Sequence, residues 1–345
     1  MGKIKRSLLC LLVLLMVMPL ASCGNAGITM VEREFFAMNT YMLLRADGER
    51  AEAALAAAET TVAEIEKALE VRVVSPTGIM SRLNAAEGQP TELPPEVFAL
   101  LETAVAAHAE TDGAFDISLY PLSVLWNFTG EGHIPTAEEL AETMKLTGME
   151  KLVLDTSAHT AQLLGGAQLD LGAVAKGYVA DLLAGDLRAE GITSALLNLG
   201  GNVLVMGNRP DGEAWRVAVA DPADTKKVVG VLAVTDKAVV TSGTYERYFM
   251  DGAVRYHHLL DPQTGKPARS GLESVTVVCD SAERADILST ALFVMGEEKA
   301  LEFWKRDGNF EMILIREDKT IVITEPLRAQ FTEQAGSGYK IQLAK

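Results

Sequence analysis

Strand-length apolar runs crowd the second half of the chain, with too few helices between them for a parallel sheet. Residues 194–199, 203–206, 215–220, 228–235, 238–241, 256–260 and 274–279 follow one another across turns, and 312–315 and 320–323 add two late strands. A doubly wound parallel sheet needs a crossover helix between successive strands, whereas antiparallel strands need only turns. The expected class is therefore α+β, with mostly antiparallel β-sheets flanked by helices. In the first half, residues 29–45 read as strand interrupted at Met38-Asn39-Thr40. Residues 51–69 read as a helix with Leu55, Val62, Ile65 and Leu69 on one face. Residues 75–95 are rich in Pro and Gly, 96–108 are helical, and Thr136 is placed to cap a helix over 137–145. Residues 152–154 and 162–164 suggest a hairpin, and helices are expected over 282–294 and, past Gly296, to Arg306.

The first 23 residues read as a targeting segment. Lys3, Lys5 and Arg6 precede an apolar run from Leu8 to Leu20, too short for a comfortable membrane span. The run ends in Leu20-Ala21-Ser22-Cys23-Gly24, which resembles the lipobox of bacterial lipoproteins, where the cysteine takes a lipid. The other reading is an ordinary cleaved signal with an incidental cysteine. The expected organisation is a signal over 1–23, a tether over 24–30 and one domain over 31–345. The expected location is the extracytoplasmic side of a bacterial membrane, held by a lipid anchor only. Of the three cysteines, Cys10 and Cys23 lie in the leader, and Cys279 in an apolar strand reads as core. Removing three of the 31 basic residues leaves 28 against 47 acids, a formal charge of −19. That makes nucleic acid and anionic lipid poor bulk partners. An anionic substrate then needs a local basic pocket.

Such a pocket is suggested by Leu169-Asp170-Leu171-Gly172-Ala173-Val174-Ala175-Lys176-Gly177-Tyr178-Val179-Ala180-Asp181. A lysine stands among small residues where a helix begins. A cation there opposes the helix dipole unless an anion, phosphate first of all, binds beside it. A surface lysine near a helix start is the other reading. Further along, Asp286 and Thr290 are four apart on a helix begun by Asp280 or Ser281, so a carboxylate and a hydroxyl share one face. Both are oxygen donors of the kind Mg²⁺ accepts. They also fit an early-turn Asp favouring the macrodipole and a Thr bonding back to a carbonyl. In His257-His258-Leu259-Leu260-Asp261-Pro262-Gln263-Thr264-Gly265, His258 ends a strand with Asp261 three residues on. That pair suits proton acceptance from a hydroxyl, or is a turn with two incidental histidines. His108, His133 and His159 lack such company. Gly200-Gly201-Asn202 permits close approach of a ligand or simply closes a hairpin, and Thr241-Ser242-Gly243-Thr244 ends a strand in small hydroxyl residues. No Gly-x-Gly-x-x-Gly follows a strand, and neither a phosphate-binding P-loop nor a Gly-x-Ser-x-Gly elbow occurs.

Together and in this order, the segments resemble the ApbE family of FAD:protein FMN transferases. The match rests on Met38-Asn39-Thr40, on Phe115-Asp116 with Pro121-Leu122 and Leu125-Trp126, and on Asp170 to Asp181. Asn198-Leu199-Gly200-Gly201-Asn202 and the run Thr241-Ser242-Gly243, His258, Asp261-Pro262, Thr264-Gly265, Asp286 and Thr290-Ala291 complete it, over roughly residues 35–296. The resemblance implies a T-fold-related architecture of two intertwined lobes with the active site in the cleft between them. It implies Mg²⁺-dependent transfer of FMN from FAD to a Ser/Thr hydroxyl of an exported acceptor protein, forming a phosphoester and releasing AMP. It implies Asp286, Thr290 and the main chain near Ala173 as metal ligands, and His258, with Asp261 nearby, as proton acceptor. Lys176 would face the pyrophosphate, while Met38, Asn39, Thr40, Asp116, Gly200, Gly201, Asn202 and Ser242 would line the dinucleotide cleft. One departure stands out. Relatives carry an aromatic and an acid where this chain has Val74 and Ile79, which implies loss of a stacking contact worth ~0.5–1.5 kcal/mol. The same residues would serve hydrolysis of FAD to FMN and AMP. A non-catalytic flavin-binding surface lipoprotein is the third reading, and it leaves His258, Asp286 and Thr290 without purpose.

Overall fold

The computed structural model describes residues 30–72 and 77–344. Cys23, the leader, most of the tether and Val74 lie outside the described residues. Met30 begins the first strand.

In chain order, the elements are β1 (Met30–Ala37), β2 (Thr40–Asp47), α1 (Ala51–Leu69), α2 (Ile79–Asn84), β3 (Thr91–Glu92), α3 (Pro95–Glu110), α4 (Tyr120–Trp126) and α5 (Ala137–Met144). Then come β4 (Leu152–Asp155), β5 (Thr160–Leu163), α6 (Ala175–Ala189), β6 (Ser194–Leu199), β7 (Asn202–Met206), β8 (Trp215–Asp221), β9 (Asp224–Val234) and β10 (Ala238–Gly243). The hairpin β11 (Tyr248–Asp251) and β12 (Val254–His257) leads to β13 (Leu272–Cys279), α7 (Ala282–Met295) and α8 (Glu297–Asp307). The chain closes through β14 (Glu311–Arg316), β15 (Thr320–Thr324), β16 (Phe331–Glu333) and β17 (Lys340–Ala344).

A nine-stranded sheet in the order β1-β2-β6-β7-β10-β13-β14-β15-β17 organises the molecule. Every pairing in it is antiparallel except β15 with β17, as the scarcity of crossover helices requires. Helices α1, α6 and α7 pack on one face, over a core that includes Met42, Leu44, Leu197, Val240, Val277 and Leu288. The small sheet β16-β9-β8 covers the other face through Val217, Leu232, Val239, Ile313 and Ile323. Strand β13 is covered on both sides, which is why its sequence is a continuous apolar run rather than an alternating one. A second lobe, built from α2, α3 and β3–β5, buries Leu83, Phe98, Leu101, Phe115 and Leu163, and its core reaches Ile287 and Ala291 of α7. The two lobes therefore share α7.

Local chemistry accounts for the boundaries. Met38 and Asn39 have φ of 50° and 57° and join β1 to β2 in a two-residue turn with both residues left-handed, the conformation that matches strand twist. Thr136 and Glu139 form a capping box at α5. Of the two candidates for the start of α7, Ser281 is the cap, accepting from Arg284 N, while Asp280 pairs with Lys237 instead. The expected strand over 256–260 ends at His257, and Leu260 makes only an isolated bridge to Pro267. The thiol of Cys279 is buried and pushed up to about 11 by that burial, a core thiol as expected. No helix among the described residues is long and apolar enough to cross a membrane.

The crossing of α6 over the start of α7 is the tightest contact in the helical layer. A Cβ on Gly177 would stand 2.2 Å from the Ala282 carbonyl oxygen, so only glycine allows the approach. From the same helix, Asp181 accepts the Ala282 and Glu283 amides at 2.9 and 3.0 Å and the Ser281 hydroxyl at 2.7 Å. One helix thus caps the other. Asp181→Ala is expected to lower unfolding free energy by about 1–2 kcal/mol, the usual cost of a lost cap. Gly177→Ala should cost at least as much, since overpacking runs to about 1–3 kcal/mol. Urea unfolding of the two variants checks this, and midpoints equal to wild type would refute the capping account.

Candidate active site

The two lobes enclose one large cavity of about 790 Å³, within the usual range for a cofactor-sized ligand. Its walls come from both halves of the chain. Asn39, Thr40, Gly200, Gly201, Asn202, Ser242 and His258 line it from the sheet side, Asp116 and Ala173 from the second lobe, and Lys176, Asp286 and Thr290 from the helices. Most of the residues singled out in the sequence thus meet at one place, although they span 252 positions of chain from 39 to 290.

Asp286 is the anchor of this wall. Its side chain is 5 % exposed. Oδ2 accepts the Gly177 amide at 2.9 Å, and Oδ1 lies 3.8 Å from Lys176 Nζ. An anion does sit at the start of α6, but it is the chain's own carboxylate. It answers an amide that the helix cannot satisfy internally and the lysine just before it. Thr290 Oγ1 is 3.2 Å from Ser242 Oγ, which is 2.8 Å from Ser289 Oγ. Ser289 in turn donates to the Asp286 carbonyl. Strand β10 and helix α7 are therefore laced by hydroxyls directly beside the carboxylate. Asp286 and Thr290 face the same cavity as their spacing requires. No group of three or more His, Cys, Asp or Glu side chains able to hold a metal occurs among the described residues. One carboxylate with hydroxyl and carbonyl oxygens is the sparser donor set typical of Mg²⁺, which keeps waters and substrate phosphates as its remaining ligands.

His258 also borders the cavity. Its Nδ1 lies 3.3 Å from the Arg247 carbonyl, and its own amide bonds the same oxygen at 3.0 Å. A carbonyl only accepts, so Nδ1 carries the proton and the Nε2 lone pair is left open. Burial first, then the Arg247 cation, hold this imidazole down at about 3, so it is neutral at ordinary pH. His257, the preceding residue, is fully buried against Phe293 with Nε2 on the Ala268 carbonyl, and burial holds it at about 4. Asp261 is not a partner of His258. Its carboxylate closes its own turn, accepting the Gln263 amide at 2.9 Å and the Thr264 hydroxyl at 3.0 Å, and the residue lines a separate cavity. Met38 is likewise absent from the wall; its amide donates to Glu66 and its side chain packs between the two cores.

Other residues belong to the site without having been foreseen. Tyr245, Glu246 and Arg247 follow directly on the hydroxyl-rich end of β10 and line the cavity. Glu246 is solvent-exposed on the cavity wall, and its carboxyl is raised, by partial desolvation first and by Asp286, against the pull of Lys176 and Arg247. Arg72, Tyr120 and Asp170 line the opposite end. His108 is not isolated as expected: its Nδ1 bonds the Phe115 carbonyl at 2.8 Å and stands 3.9 Å from Asp116. Burial raises the Asp116 carboxyl, while Ser118 and His108 pull it back. Asn202 is buried, and its Nδ2 has no hydrogen-bond partner in the protein. A buried donor left open on a cavity wall suits a ligand that brings an acceptor. Gly200 is left-handed, and a Cβ there would collide with the Thr40 side chain, so the turn beside Asn202 must be glycine.

The chain is similar to known proteins over most of its length. Residues 38–314 match the model of the ApbE family. The FAD:protein FMN transferase of Klebsiella pneumoniae is 36% identical over 266 residues, covering 76% of this chain and 82% of that protein. That of Treponema pallidum is 35% identical over 70% of this chain and 72% of its own. Among solved structures, the ApbE protein of Thermotoga maritima superposes with a TM-score of 0.81 at 30% identity, over 88% of this chain and all of that one. The flavinyl transferase ApbE of Pseudomonas stutzeri gives 0.74 at 31% identity, over 84% and 92%.

The two histidines set a pH dependence. Both are held well below the value of about 6.5 they take in an unfolded chain. The unfolded state therefore takes up protons below pH ~6.5 that the folded state refuses, and their contribution to stability is complete above that pH and lost as pH falls toward about 4 for His257 and about 3 for His258. Glu246, raised in the fold, acts in the opposite sense between about 7 and its ordinary range. Denaturant midpoints measured between pH 7 and pH 4 should fall more steeply for wild type than for the double variant His257→Asn/His258→Asn. Parallel curves would show that neither imidazole is held neutral.

Proposed function

The chain belongs to the ApbE family, and on that premise we propose that it transfers the FMN portion of FAD to a Ser or Thr hydroxyl of an exported acceptor protein. The hydroxyl oxygen bonds to the FMN-side phosphorus, the P–O bond to AMP breaks, and the hydroxyl proton passes to the open Nε2 of His258. The single observation that carries this reading is the placement of a buried carboxylate, Asp286, and the half-buried Thr290 hydroxyl one turn on, in the same cavity wall as Lys176 and His258.

Electrostatics support a metal. Arg72, Lys176 and Arg247 share the cavity lining with Asp116, Asp170, Glu246 and Asp286, so carboxyl groups outnumber cations before a diphosphate brings further negative charge. Mg²⁺ held by Asp286, Thr290 and the main-chain carbonyl of Ala173 would offset that charge and polarise the phosphoryl oxygens. Everything else falls to the chain's own residues. Lys176 places a cation toward the phosphates, Asn202 offers its open amide, and the Gly200-Gly201 turn lets the backbone approach the ligand. Burial is the main cause of His258's low basicity, and anionic phosphates nearby would offset only the smaller contribution of the Arg247 cation. Positioning supplies much of the remaining acceleration. We also propose that the chain is anchored through lipid on Cys23 and works on the extracytoplasmic side of the membrane. The basic start, the short apolar run and the small residues before the cysteine support this.

The test is direct. Mature protein, FAD, Mg²⁺ and a candidate exported acceptor are mixed, and intact mass is followed. A mass gain of one FMN on the acceptor is expected. Free FMN with an unmodified acceptor would mean hydrolysis, and neither product would mean binding alone. Asp286→Ala is expected to lower turnover roughly 100-fold or more, since even supporting residues of metal sites cost 10–100-fold, and a chelator should do the same. Full activity in that variant would overturn the proposed role of Asp286.

A further inference from the structure

The small sheet β16-β9-β8 does not cover the whole of its side of the main sheet. Its buried contacts run over β7, β10, β13, β14 and β15, and towards this edge, among the described residues, only Met30 at the start of β1 and Leu196 of β6 pack against its margin. The same face of β1 and β2 is left as a shelf beside the cavity. On β1, Arg33 reaches back to Glu52 and Glu59 of α1 and Phe35 packs into the helical core, so Glu32, Glu34 and Phe36 point the other way. The register sets Phe36 opposite Tyr41, Glu34 opposite Leu43 and Glu32 opposite Arg45. Phe36 is 72 % exposed, the most of any large apolar side chain among the described residues, and Tyr41 is 51 % exposed. The pair is tied to the cavity wall. Thr40 lines the cavity, and the Tyr41 carbonyl accepts the Gly200 amide at 3.1 Å. Glu32 is ion-paired with Arg45, whereas Glu34 adds a negative charge beside Tyr41, raising its phenol, and makes no ion pair among the described residues. Strand β1 is the edge of the sheet, open to pairing by another extended chain.

We propose that this shelf docks the acceptor protein, which lays an extended segment across Phe36 and Tyr41, with a cationic side chain beside Glu34, so that its hydroxyl enters the cavity. The inference rests on the transferase reading, because only a reaction with a second macromolecular substrate needs a docking face at the mouth. Exposed aromatic pairs are the usual anchors of such contacts. The adjoining acids, in a chain of net charge −16, disfavour anionic lipid as the occupant and favour a cationic segment of protein. Neither Phe36 nor Tyr41 lines the cavity, so changing them leaves the FAD site intact.

Steady-state flavinylation of a folded acceptor domain carrying a Ser/Thr flavinylation motif tests this, with wild type, Phe36→Ser, Tyr41→Ser and Glu34→Lys compared. FAD affinity is followed by quenching of flavin fluorescence, and flotation with phosphatidylcholine–phosphatidylglycerol vesicles is run alongside. The acceptor KM should rise about ten-fold or more in Phe36→Ser and Glu34→Lys, with kcat and FAD affinity within about two-fold of wild type. An unchanged acceptor KM overturns the assignment, as does a loss of vesicle flotation with KM unchanged, which would make the shelf a membrane contact. Wild type that cleaves FAD yet never modifies an acceptor sinks the transferase reading and the shelf together, whereas wild-type transfer with unaffected variants sinks the shelf alone.

Discussion

A single hydrogen bond, from the Gly177 amide to the Asp286 carboxylate, joins the fold to the chemistry. It exists because α6 lies against α7 at a distance only glycine permits, and because Asp181 caps α7 one turn further along α6. The carboxylate is deeply buried, a placement that is costly unless neighbours compensate it. An amide at a helix start and the Lys176 ammonium supply that compensation. Had α7 been shifted by even part of a turn, Asp286 and Thr290 would leave the cavity wall together, since they share one helical face.

The rest of the site follows from that fixed point. The sheet side contributes the Gly200-Gly201 turn, Ser242 at the end of β10 and His258 past the end of β12, all gathered at one end of the strands. The second lobe closes the opposite wall with Asp116 and Asp170, and its core continues onto α7. A strongly acidic protein thereby builds a cavity with three cations in it, which is what an anionic ligand demands of such a chain. The charges on the walls nearly balance, and a diphosphate with a divalent ion fits that balance better than either alone.

Much of this was legible in the chain because it depends on short-range patterns. The helix over 51–69 has the predicted bounds, since its apolar period and flanks are local. The i, i+4 relation of Asp286 and Thr290 survives folding because it is a property of one helix. What could not be read was where long-range partners come from. Asp261 looked like a companion of His258 by sequence distance, yet a turn built on Asp-Pro spends its carboxylate on the turn itself. Lys176 pointed to an anion, but nothing local said that the anion would be Asp286, 110 positions later. Glu246 and Arg247 carried no motif signal beyond lying next to a hydroxyl-rich strand end. His108 appeared solitary because Asp116 approaches it only once α3 has turned back at Asp112-Gly113. The β11–β12 hairpin, with Tyr256 stacked on Trp126 and Phe249 tilted against Trp126 and Phe128, depends on aromatic contacts between distant segments.

The most direct measurement is a crystal structure of the protein soaked with FAD and Mn²⁺ as an anomalous stand-in for Mg²⁺. The account predicts one strong peak at roughly 2.0–2.3 Å from Asp286 Oδ1 and Thr290 Oγ1, in contact with the diphosphate of the bound dinucleotide. A dinucleotide bound in the cavity with no metal at Asp286, or a metal held elsewhere on the wall, would contradict it.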